Sequence, residues 1–234
     1  YISFFYPLCE LTQIRSGVLG GCYLIALYYQ SQNMRWRALF FILLGSVFHY
    51  SGLVLLTVLF LSSKPLTRNN KIFWAAIVAT CYFISSIVYF NLHDISLPYI
   101  GNKLNYYQTL AENTHYQEEH ELFNFFQFVT IGLFYYWLIF SDKITEYLPS
   151  FPLLLKSFGI GLCCYALLFS TGFIGERIFY EFIIVMPILI PTIVYTIRPR
   201  IGGVIIVILL NFYYLNYMCR YVFGTNDILP FLPQ

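Results

Sequence analysis

Apolar residues run in long blocks along this chain, and short polar blocks separate them. The apolar blocks are Thr12–Tyr29, Arg37–Ser62, Ile72–Phe90, Leu122–Ser141, Phe151–Phe173, Ile178–Ile197 and Ile201–Met218. A helix needs roughly 20 apolar residues to cross a hydrocarbon core about 30 Å thick. All of these blocks except Arg37–Ser62 read as one crossing each. The pattern predicts an all-α, polytopic membrane protein with about six to eight transmembrane or re-entrant helices. It forms a single transmembrane domain over 1–234. The chain begins at Tyr1, and Tyr1–Leu11 has neither a basic n-region nor a small-residue cleavage site, so it is not a signal peptide. A C-terminal fragment with further helices upstream is expected.

The polar blocks set the expected orientation. Arg35 and Arg37, Lys64, Arg68 and Lys71, Lys143, and Arg198 and Arg200 collect in short connectors, which assigns those connectors to the inside. The long stretch Asn91–Glu121 holds Lys103 against Asp94, Glu112, Glu118, Glu119 and Glu121, and reads as an extracytoplasmic loop. Gly101–Tyr107 within it reads as the start of an amphipathic helix, with Tyr106 and Tyr107 suited to the membrane interface or to stacking on sugar rings.

Arg37–Ser62 has basic connectors at both ends. A tilted single span puts Arg35 and Arg37 outside. A hairpin of two half-helices, turning near His49-Tyr50-Ser51-Gly52, keeps both connectors inside. Re-entrant backbone of that kind is tolerated only where protein buries it or a wet cavity lines it. Both topologies remain open at this point.

Ser16/Gly20 and Gly17/Gly21 are small-xxx-small pairs that let helices approach closely. Pro187 and Pro191 fall inside an apolar block, as membrane helices tolerate.

Composition agrees with the pattern. Hydrophobic residues make up 59% and charged residues 10%, with a mean hydropathy of +0.68. A soluble domain carries about 25% charged residues. The net charge of +2 and the lack of a basic run exclude nucleic acid as a partner. Six cysteines lie mostly in apolar blocks without C-x-x-C spacing, so they read as packing residues. His93-Asp94 and His115-Tyr-Gln-Glu-Glu-His120-Glu121 fit no zinc-ligand spacing, and no metal or cofactor is expected. No Ser/His/Asp triad spacing, P-loop or GxGxxG occurs.

Ionisable groups at membrane depth are the candidate chemistry, because burying them is costly. Arg15 heads the first block, His49 sits mid-way along the second, and Arg177 opens the sixth. Structural readings compete with each: a snorkelling Arg15, a His49 satisfied by a neighbouring helix, and an Arg177 paired with a glutamate. In the hairpin topology, Arg15, Arg177, Arg220 and His49 converge on an outward-facing cavity. Guanidinium forks suit phosphate, so the implied ligand is an anion at the membrane surface, such as a lipid pyrophosphate. Glu181, one turn after Arg177, is placed to orient it.

Gln13-Ile-Arg15 before a Gly/Leu-rich helix, Leu44-Gly-Ser-Val-Phe48-His49-Tyr-Ser51-Gly-Leu, Lys103-Leu-Asn-Tyr106-Tyr107 in a long loop, and Glu176-Arg177-Ile-Phe-Tyr180 on a late helix follow one another in a fixed order. This order resembles the EpsG-like branch of the Wzy-type polysaccharide polymerases, which make O-antigen, capsule or exopolysaccharide. The resemblance implies a GT-C-like membrane glycosyltransferase, multi-pass in the bacterial inner membrane, with its site facing the periplasm or exterior. It joins oligosaccharide repeat units carried on undecaprenyl pyrophosphate. A flippase and a chain-length regulator are the further partners implied, besides the lipid bilayer.

On that reading Arg15 and Arg177 take the pyrophosphate. His49 is the general base for the acceptor hydroxyl, or a positioning donor. Arg220, Lys103, Tyr106, Tyr107, Ser51 and Glu181 contribute to substrate binding. Competing classes are a transporter of an anionic lipid-linked glycan, although no second copy of the Arg37–Ser62 pattern supports paired repeats, a membrane acyltransferase using His49, and a structural subunit.

Overall fold

A computed structural model describes residues 14–87, 122–169 and 173–223, with the side chains of 173–174 and 218–223 excepted. Within them the secondary structure is helical and no strand occurs. The described residues fall into two compact units. The first lies within Tyr1–Pro65, Phe140–Leu154 and Ile184–Gln234, and the second within Leu66–Ile139 and Leu155–Ile183.

In the first unit, α1 (Ile14–Ser31) and α2 (Arg35–Phe48) form an antiparallel pair. The connector is tight: Asn33 takes a left-handed φ of 59°, a conformation Asn adopts more readily than most residues. Met34 N–H bonds back to the Tyr29 carbonyl at 2.9 Å. Ala38, Ile42 and Gly45 recur at helical spacing and are the buried stripe of α2. Tyr29 stacks on Phe41 at 5.5 Å, and the Arg37 guanidinium lies over the same Tyr29 ring.

After His49 the chain continues as a 3-10 helix, Tyr50–Phe60. This limb turns back. Gln30, near the end of α1, donates from Nε2 to the carbonyls of Leu59 at 3.1 Å and Leu61 at 2.9 Å. The start of α2 and the end of the 3-10 limb therefore lie at the same end of α1. Arg37–Ser62 is folded back on itself as a hairpin rather than run as one continuous helix. The limbs match: α2 measures about 21 Å at ~1.5 Å per residue and the 3-10 limb about 22 Å at ~2.0 Å per residue.

Glycines make the hairpin tight. A Cβ on Gly45 would lie 2.7 Å from Leu19 Cδ1, and a Cβ on Gly52 would lie 2.6 Å from the same atom. Leu19 of α1 is thus gripped between the two limbs. On the small-residue stripe of α1, Ser16 and Gly20 are buried, and a Cβ on Gly20 would overlap the Ile184 side chain. Gly21 meets open space. Of the two expected small-xxx-small pairs, it is Ser16/Gly20 that faces a neighbour.

The same unit holds α5 (Ser141–Tyr147), α8 (Met186–Leu189), a 3-10 turn Ile190–Tyr195 and α9 (Arg200–Phe223). The sequence predicts a loop over Asp142–Ser150, but its first part is the short helix α5. Lys143 Nζ anchors α5 on the Thr196 carbonyl at 3.0 Å, and Tyr147 stacks on Tyr195 at 4.6 Å. Pro187 and Pro191 each fall in the first turn of a short helix, where a missing N–H costs nothing.

The second unit is built from α3 (Arg68–Ile87), α4 (Phe125–Ile139), most of α6 (Phe151–Leu168) and α7 (Phe173–Ile183). Gly159 sits against Phe134 and Trp74, and a Cβ on Gly161 would lie 2.6 Å from Phe182 Cβ, so α6 packs closely on its neighbours. Tyr135 donates to the Ala75 carbonyl and Tyr82 to Gln127 Oε1, which satisfies polar atoms inside an apolar bundle. Among the described residues, four helices are long and apolar enough to cross a membrane: Arg68–Ile87, Phe151–Leu168, Gly175–Tyr195 and Arg200–Tyr217. The bent pair Phe125–Ile139 and Ser141–Tyr147 makes a fifth if taken as one span. The chain is an all-α, polytopic membrane protein.

Candidate functional site

His49 occupies the tip of the hairpin. Its backbone is extended (φ −146°, ψ 110°) between two helical limbs, so this residue turns the chain. Its N–H closes α2 on the Gly45 carbonyl at 3.1 Å, and its own carbonyl accepts from Gly52 N–H at 3.0 Å. The ring is half-buried. Nδ1 lies 2.5 Å from Ser51 Oγ, and the imidazole stacks nearly parallel on the exposed Tyr50 ring at 5.6 Å. One ring nitrogen is therefore engaged by the serine. The hydrogen bond on Nδ1 dictates the form of Nε2.

Arg15 stands exposed on the first turn of α1. Its height follows from helix arithmetic. From Gln30 back to Arg15, α1 climbs about 22 Å. From Arg35, beside Gln30, α2 climbs about 21 Å to His49. The guanidinium-bearing residue and the imidazole-bearing residue thus stand at one level on neighbouring helices. The hairpin tip brings His49 and Ser51 into contact, and helix rise sets Arg15 at a similar height on α1.

Arg177 lies in the second unit, near the start of α7, and is half-buried. Its Nε is sealed from solvent without a hydrogen bond among the described residues, while the side chain makes another interaction. Glu181, one turn on, shares its helix face and is 7% exposed. Glu176 is half-buried beside it. Arg220 falls in the last turns of α9, where the backbone alone is described. Lys103, Tyr106, Tyr107 and the His/Glu-rich stretch of Asn91–Glu121 lie outside the described residues. Among the described residues, no three His, Cys, Asp or Glu side chains gather as a metal site.

The sequence profile of the EpsG family matches residues 1–232. The chain belongs to the EpsG family. No curated protein and no solved structure matches it. Membership points this EpsG protein to polysaccharide biosynthesis at a membrane.

Two polar residues of the EpsG chain escaped the sequence reading. Lys156 is 7% exposed inside the apolar helix α6. A lysine in an apolar block is a legible signal of the same kind as Arg15 and His49. Gln30, 4% exposed, ties the hairpin to α1. It carries no charge and sits at the edge of an apolar block, so nothing in composition or periodicity marked it.

Proposed function

We propose that this EpsG-family protein is a membrane glycosyltransferase that polymerises oligosaccharide repeat units carried on a polyprenyl pyrophosphate, such as undecaprenyl pyrophosphate, into surface polysaccharide. The observation that carries the reading is the hairpin, which raises a serine-engaged imidazole to the height of Arg15.

The hydroxyl oxygen of the acceptor unit attacks the anomeric carbon of the growing chain. The bond from that carbon to the pyrophosphate oxygen breaks, and the polyprenyl pyrophosphate leaves with the electron pair. The hydroxyl proton passes to His49 Nε2. That role requires the tautomer in which Nδ1–H donates to Ser51 Oγ, leaving Nε2 as the acceptor. Negative charge grows on the leaving group, where a guanidinium is worth most. Arg15 supplies one at the level of the imidazole. For Arg177 the support is its own setting, a half-buried cation in the opening turns of an apolar helix with a carboxylate one turn away. The basic connectors at the open end of the hairpin support an orientation with the tip directed to the outer side of the bacterial inner membrane.

The test is a deletion of the gene in its host, complemented with wild type, His49→Ala, Arg15→Ala or Arg177→Ala at matched expression, with surface polysaccharide resolved on a gel. The reading expects single repeat units in the deletion, a restored ladder with wild type, and no ladder with the variants. A ladder of normal length with His49→Ala overturns the catalytic assignment. Absence of any unit at the outer surface in the deletion points instead to transport.

A further inference from the structure

We infer that Gln30 is a positioning residue: its carboxamide latches the return limb of the hairpin to α1 and so holds His49 level with Arg15. The inference rests on the reading of His49 above for its catalytic consequence, but not for the latch itself.

Three observations carry it. The first is the pairing. A helix leaves its last carbonyls without intrahelical partners. At the end of the 3-10 limb, Val58 O is taken by Leu61 N–H at 2.9 Å, and the carbonyls of Leu59 and Leu61 take the two N–H groups of one amide, Gln30. No other side chain type of this length presents two neutral donors on one atom. Gln30 Oε1 is buried and accepts nothing among the described residues, so this side chain is spent on the two carbonyls.

The second is the form of the limb. Runs of 3-10 helix beyond three or four residues are uncommon because their hydrogen bonds are poorer. This one has 11 residues. The third explains it. Leu19 fixes one end of the limb in the notch at Gly52, and Gln30 fixes the other at Leu59. On α1 those points lie about 16 Å apart. From Gly52 to Leu59 a 3-10 helix covers about 14 Å and an α-helix about 10 Å, so the 3-10 form is the closer match to that separation. The two anchors favour the longer, 3-10 form of the limb. Without the Gln30 anchor the limb is released to wind toward α-helix, and the turn that carries His49 and Ser51 loses its height against Arg15.

The experiment uses the full-length protein in lipid nanodiscs. Gln30→Met keeps the volume and removes both donors, and Gln30→Lys retains donors at a similar reach. Hydrogen exchange is followed for peptides covering 50–62 and, as a reference, 16–28. Turnover and KM are measured with a polyprenyl-pyrophosphate-linked repeat unit. Gln30→Met is expected to speed exchange in 50–62 by roughly tenfold or more, the scale of a lost pair of hydrogen bonds, with 16–28 unchanged. Turnover should fall by about a hundredfold, as for a catalytic group misplaced by ~1 Å, with KM nearly constant. Gln30→Lys should recover most of both. Unchanged exchange in 50–62 for Gln30→Met overturns the latch. Equal loss in Met and Lys variants, or a change confined to KM, overturns the positioning role. If wild type itself turns over no such substrate, the proposed function fails while the exchange arm still decides the latch.

Discussion

His49 is held by neighbours that each do a separate job. The extended backbone turns the chain, Ser51 engages Nδ1, and Tyr50 covers one ring face. A base whose tautomer is set by one serine gives a graded prediction. His49→Gln keeps much of the shape but cannot accept and return a proton through a ring. Its polymerisation rate should fall by about 10²–10⁴, the usual worth of a general base. Ser51→Ala leaves the imidazole in place with its tautomer unfixed, so a smaller loss is expected, about tenfold for one net hydrogen bond. Ser51→Thr keeps the hydroxyl and should stay close to wild type. Rates measured in membranes with lipid-linked repeat units separate the three. A Ser51→Ala loss as large as that of His49→Gln would assign the serine a direct role in the reaction.

At the scale of the element, the hairpin is a fit between one leucine and two glycines. Added bulk at either glycine meets Leu19 well inside van der Waals distance. Overpacking of this kind costs typically 1–3 kcal/mol. Gly52→Ala should therefore lower the thermal midpoint of the purified protein, and Leu19→Ala in the same chain should restore part of it, because the clash and the bulk belong to one contact. Additive losses would show that the two residues do not share that contact.

This element also marks how far the sequence could be read. Basic connectors at both ends of Arg37–Ser62 argued for a hairpin, and Gly52 near its tip argued for a turn. Those signals are electrostatic and steric, and they survive in a single sequence. The 3-10 form of the return limb was not legible, since Tyr50–Phe60 is uniformly apolar and periodicity cannot tell one tight helix from another. The Gln30 anchor was not legible either, because it pairs with backbone carbonyls 29 and 31 positions away that have no side-chain signature. For the site, Arg15 and His49 were found from charge in apolar blocks, and their common height came from helix lengths that only the structure supplies.

At the scale of the whole molecule, the limb lengths meet the membrane thickness. With the open end of the hairpin at one membrane face, as proposed, limbs of about 21 Å in a core of about 30 Å would leave the tip some 9 Å short of the far face. Arg15 stands at the same depth. A guanidinium and an imidazole at that depth, on re-entrant backbone, call for a wet recess open to one side. Such a recess has a definite side. In a background without native cysteines, Gln32→Cys and Lys64→Cys should react with an impermeant maleimide from one side of the membrane, since both lie at the open end of the hairpin. Tyr50→Cys, next to His49, should react with a small charged thiol reagent from the opposite side only. Labelling of Gln32→Cys and Lys64→Cys from opposite sides would mean that the segment crosses once. Reaction of Tyr50→Cys from the Lys64 side would place the recess, and with it the chemistry of Arg15 and His49, on the side where the basic connectors lie.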